Sequence, residues 1–113
     1  MTSRRWHVLH EADALILARR LPARFDIAAA AVFPPVRKLR LASQVRQDLW
    51  RALRHVRGFS PVIRVEEVDG GLWLRAGGRV AGPAPRARLE AGIAALLADT
   101  ANRARWLTHA GAG

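Results

Sequence analysis

Six polar side chains in one stretch of this chain recur at steps of three and four: Arg37, Arg40, Gln44, Gln47, Arg51 and Arg54. At about 100° per residue they share one side of a helix. A guanidinium presents a planar fork of donors that fits a phosphate or the edge of guanine, and a side-chain amide fits the edge of adenine. Such a row is chemistry for holding nucleic acid. The same row on an ordinary helix only faces water. Local charge weighs for binding: residues 34–60 hold seven basic side chains against Asp48 alone. No acidic residue stands four positions before any arginine of the row to pair with it. Trp50 lies at the edge of this face, beside Arg46 and Arg57. An aromatic ring there can stack on a base or cover the rim of a core.

The whole chain leans the same way. Its 113 residues carry 19 Lys and Arg against 9 Asp and Glu, a formal net charge of +10. Eighteen of the basic residues are arginine, and Lys38 is the one lysine. The excess is concentrated early, with twelve basic and four acidic side chains in residues 1–60 and seven against five in 61–113. A one-sided field of this sign favours an anionic partner, either nucleic acid or an acidic protein. An anionic membrane surface is a third option, but the apolar stripe of the same helix is needed for a core.

Other chemistry finds less support. There is no cysteine, hence no disulfide, thiolate metal site or cysteine nucleophile. His7 and His10 are three apart and on a helix could share a metal with a third ligand such as Glu11, but nothing supplies a fourth ligand at a telling spacing, so no metal site is expected. Glu66 and Glu67 are neighbours on an expected strand and face opposite ways, which prevents their acting as an acid/base pair. Ser43 and Ser60 have no histidine and orienting acid beside them in sequence. The glycine pairs at 70–71 and 77–78 match no phosphate-binding fingerprint. No catalytic residue and no cofactor is therefore expected, and the chain reads as a non-enzyme. Arg4-Arg5 is not followed by an apolar segment of signal-peptide type, and Ile27 to Phe33, the longest apolar run, is too short to span a bilayer. The expectation is a cytoplasmic protein with no transmembrane segment.

The elements that must position the basic row follow from pattern. Pro34-Pro35 and Gly58 bracket a helix from about Val36 to Arg57, with Val45, Leu49, Ala52, Leu53 and Val56 as its buried stripe. Trp6 to His10 reads as a short strand. Residues 13–21 suit a helix or a buried strand equally, and Ala-rich 24–33 reads as a second short helix. Val62–Val68 and Leu72–Ala76 read as strands joined by Asp69-Gly70-Gly71. Gly77-Gly78 reads as another turn, before a short third strand at 79–81. Arg86 to Ala98 is a helix, and Asp99 or Thr100 caps a last one anchored by Trp106.

The expected fold class is α+β: an N-terminal helical part, a long basic helix, a two- or three-stranded antiparallel hairpin sheet and C-terminal helices. It forms a single domain over 1–110, with a frayed tail at 111–113. In element order this resembles a winged helix and a double-stranded-RNA-binding-like helix–sheet–helix unit, with no diagnostic motif of either. The expected function is non-enzymatic nucleic-acid binding through Arg37, Arg40, Gln44, Gln47, Trp50, Arg51 and Arg54. The alternative is an interaction or assembly subunit. It would dock an acidic partner through the basic helix, or a partner through the sheet face that carries Trp73.

Overall fold

The computed structural model describes residues 6–111. β4 (Ser60–Val68) and β5 (Gly71–Arg79) form the hairpin expected from the turn chemistry, antiparallel from Ser60↔Arg79 to Val68↔Gly71. Gly70 in the turn has φ +79, a region glycine enters without steric penalty. Gly77 and Gly78 do not turn the chain. They continue β5, and there is no separate strand at 79–81. Their smallness serves close approach instead. A Cβ at Gly77 would lie 1.9 Å from the Ile27 carbonyl oxygen, and one at Gly78 would lie 2.0 Å from that of Ser60.

Three further strands flank this hairpin: β1 (His7–Glu11), β2 (Ala14–Ala18) and β3 (Ile27–Phe33). The sheet is antiparallel throughout, in the order β1-β2-β4-β5-β3. This corrects the expected architecture in two ways. The N-terminal part is strands rather than helices, and the sheet has five strands rather than two or three. The winged-helix resemblance fails because its two leading helices fall where β2 and β3 lie. The helix–sheet–helix resemblance fails because strands preceding the long helix complete the sheet that follows it.

The physical reasons are specific. Every residue of β2 is buried. Leu15 and Leu17 join the main core, while Ile16 and Ala18 pack with Val62 against Ala23 and Phe25. A strand covered on both faces loses its period-two alternation and reads equally as a helix. In β3, the helix propensity of alanine is a fraction of a kcal/mol per residue, roughly 0.5. Pairing with β5 from Ile27↔Gly78 to Phe33↔Leu72 overrides it. Ala29 and Ala31 pack against the core, and α2 (Arg86–Ala98) lies over this strand. The outer edge of β3 is also covered. Glu90 of α2 accepts a hydrogen bond from the Ala28 amide at 2.9 Å, and Arg103 donates to the Val32 carbonyl at 2.6 Å.

The long helix, α1, is Lys38–Leu53, shorter than expected at both ends. Residues 54–57 leave it in tight turns, and Gly58 at φ +70 closes them. Leu41, Ala42, Val45, Leu49 and Leu53 form its buried stripe. Ala52, expected in that stripe, is exposed beside a groove of about 140 Å³ shared with Gly92 and Leu96. α3 (Thr100–Gly111) starts after Asp99, whose Oδ1 accepts the Asn102 amide at 2.9 Å. Trp106 of α3 is fully buried, its ring 6.2 Å from that of Phe33. All three helices contribute to the one core cluster on the sheet face bearing Leu15, Ile63, Val65 and Leu74. Strand alternation places Val32, Arg64, Trp73 and Arg75 on the other face. Gly111 is the last described residue, so the rest of the expected tail, like Arg4-Arg5, lies outside the described residues. Among those residues, no helix is long and apolar enough to cross a membrane.

Candidate functional site

α1 holds its basic row away from the core. Arg40, Gln47, Arg51 and Arg54 are exposed, as is Arg37 at the N-cap, whereas Gln44 is half-buried. Trp50 is 38% exposed. A single rigid helix thus fixes most of the row on one surface.

The fate of the acidic side chains decides how cationic that surface is. Asp48, the one carboxylate of α1, is turned toward α3. Its Oδ2 accepts the indole N–H of Trp106 at 2.7 Å and meets Arg105 Nη1 at 2.9 Å. Its Oδ1 lies 3.3 Å from Arg51 Nη1. Lys38 is bound to Glu67. Among the described residues, Arg37, Arg40, Arg54 and Arg57 have no carboxylate within ion-pairing distance. Elsewhere two arginines hold carboxylates. Arg64 bridges Glu66 at 2.7 Å and Glu11 at 3.4 Å, and the hydrogen bond to Glu66 leads in raising its pKa. Arg24 holds Asp26, and that hydrogen bond, with one from the Val80 amide, pulls the Asp26 carboxyl below its ordinary range.

A second group lies on the flank of the row and was not legible in the spacing. The guanidinium of Arg46, one turn before Trp50, sits 4.5 Å from the centre of the Trp6 ring. That of Arg19 sits 5.6 Å from the same ring, both within cation–π range. The Nε of Arg46 is buried without a hydrogen-bond partner. Burial, followed by the charge of Arg19, lowers its pKa. Next to this pair, Arg19, Arg20, Trp50, Gly58, Phe59 and Ser60 line a cleft of about 210 Å³. The rings of Trp50 and Phe59 are stacked, with centroids 6.3 Å apart and planes within 13°. Ser60 is 5% exposed, and its hydroxyl is buried with no hydrogen-bond partner. The sequence signal for this group was thin: Arg46 stands about 100° around the helix from Gln47, off the row, and only the β1–β2 pairing brings Trp6 and Arg19 to it.

The histidines stay apart in function. His7 and His10 alternate faces on β1. Among the described residues no group of three or more His, Asp or Glu side chains is placed to hold a metal. Trp73 is half-buried on the sheet face away from the helices, opposite Val32 of β3, which is 61% exposed. Comparisons with protein-family models, curated proteins and solved structures give no match to this chain.

Proposed function

We propose that this chain binds nucleic acid through the outward face of α1. Arg37, Arg40 and Arg54 contact phosphates, Gln47 and Gln44 reach base edges or backbone, and Trp50 offers a ring at the margin. The observation that carries the reading is the disposal of Asp48. The only carboxylate of the helix is held by Trp106 and Arg105 of α3 and by Arg51 of the row, which leaves Arg37, Arg40 and Arg54 without a carboxylate partner among the described residues. Free guanidinium groups on a rigid element suit a polyanion, because their binding releases condensed counterions. The test is fluorescence anisotropy of labelled single- and double-stranded DNA and RNA over a salt series. Binding should weaken steeply with salt, and Arg40→Glu with Arg54→Glu should abolish it while circular dichroism stays unchanged. Affinity equal to wild type in that double variant, for all four probes, would refute the reading.

A second reading rests on Trp73 and Val32, adjacent apolar side chains on the helix-free side of the sheet. An aromatic anchor with an exposed aliphatic neighbour is the usual centre of a protein interface. In this reading the chain is an interaction subunit. Trp73→Ala would then abolish partner binding and leave nucleic-acid retention intact, whereas the α1 variants would do the reverse.

A further inference from the structure

We infer that the cleft between the end of β2, the last turn of α1 and the start of β4 binds a terminal phosphate, with the attached nucleoside ring against Trp50. This goes beyond contact along the α1 row, because it is a discrete pocket for one phosphomonoester rather than a surface for a polyanion.

Several independent features converge there. Arg19 and Arg20 line the cleft and, among the described residues, have no carboxylate within ion-pairing distance. Arg46 stands beside Arg19, partly withdrawn from water, with an orphaned Nε. Both guanidinium groups lie against the one Trp6 indole with no anion between them, and the charge of Arg19 acts unfavourably on Arg46. A dianion seated in the cleft takes charge-assisted hydrogen bonds from the lining Arg19 and Arg20 and offsets the charge that Arg46 feels. Ser60, 5% exposed, closes the same wall at the start of β4. Two lining cations and no lining carboxylate together describe an oxyanion site.

The rest of the wall describes what the oxyanion is attached to. Trp50 is held by its parallel stack on Phe59 yet remains 38% exposed, which suits stacking with a planar ring. At about 210 Å³ the cleft is smaller than the roughly 300–1,000 Å³ that enclose a drug-sized ligand. It accommodates a phosphate with part of its ring, not a whole buried cofactor.

Calorimetric titration of the full chain with adenosine monophosphate and with adenosine tests this. The monophosphate should bind at least about tenfold tighter than the nucleoside, the difference expected of one charge-assisted contact set. Arg19→Gln with Arg20→Gln, both exposed positions, should remove that advantage. Arg40→Ala with Arg54→Ala should leave monophosphate binding unchanged even if it loses oligonucleotide binding. Equal affinity for nucleotide and nucleoside, an unchanged advantage in the Arg19/Arg20 variant, or loss of monophosphate binding in the folded Arg40/Arg54 variant would each overturn the assignment. A 5′-phosphorylated oligonucleotide preferred over its 5′-hydroxyl twin identifies a strand end as the source. Monophosphate binding without that preference identifies a free nucleotide.

Discussion

Asp48 Oδ2 accepts the indole N–H of Trp106 at 2.7 Å, and this bond ties the middle of α1 to the centre of α3. The same carboxylate takes Arg105 and Arg51, so three donors from two helices converge on a side chain that is 11% exposed. One residue therefore fastens the helical layer and pairs with a single arginine of the basic row, Arg51.

Asp48→Ala should destabilise the protein by about 2–3 kcal/mol, because it strands a buried indole N–H and removes hydrogen bonds to a charged group. Trp106→Phe removes one donor and leaves the ion pairs, so it should cost about half as much from the hydrogen bond alone, plus the loss of ring packing. Urea unfolding of the two variants gives the comparison. Equal stability of Asp48→Ala and wild type would contradict the fastening role.

Acid should erode stability through Asp26. Its folded pKa is lowered, chiefly by the Arg24 hydrogen bond and then by the Val80 amide. The contribution is therefore fully present above the unfolded value of about 3.9, and is lost as pH falls from there through the folded one. Asp26→Asn should flatten the fall in melting temperature below about pH 4. An unchanged slope in that variant would show that other carboxylates carry the acid sensitivity.

Salt dependence can count contacts on α1. Each phosphate neutralised on duplex DNA contributes about 0.9 to the slope of log affinity against log salt. Arg40→Ala with Arg54→Ala should thus reduce the slope by about 2. A slope that stays constant while affinity falls would mean that these two arginines do not touch phosphate.

Two glycine substitutions should move stability in opposite directions. Gly77→Ala places a methyl 1.9 Å from a backbone oxygen of the neighbouring strand, where neither chain can yield cheaply, and should cost about 3 kcal/mol or more. Gly92 lies inside α2, and a methyl added there would meet open space, with no atom within 4 Å. Gly92→Ala should stabilise by about 0.5–1 kcal/mol. Denaturant midpoints of the two variants test both signs.

The legible parts of this chain are those where local chemistry and tertiary packing agree. Val45, Leu49 and Leu53 mark the inner side of α1, Asp69-Gly70 marks the central hairpin, and Asp99 marks the start of α3. The illegible parts are those where packing overrides local preference. Ala28 to Ala31 favour a helix in isolation and become a strand because β5 offers them a ladder. Leu15 to Leu17 lose their alternation because Phe25 and Ala23 cover the second face of β2. The candidate row on α1 could be read from spacing alone, since it belongs to one element. The cleft could not, since Arg19, Trp50 and Ser60 come from three distant parts of the chain that only the sheet order and the packing of α1 on it bring together.

The order β1-β2-β4-β5-β3 also has a kinetic consequence. Two of its seams, β1–β2 and β4–β5, join strands that follow one another directly and can close as local hairpins. The other two, β2–β4 and β3–β5, each bring together strands separated by the whole of α1. Their loop-closure entropy must be met before any ladder bond rewards it. The central hairpin is thus the template on which the β1–β2 pair docks on one side and β3 on the other. The wall of the Ser60 cleft, made where β2 meets β4, belongs to a seam that closes late in refolding.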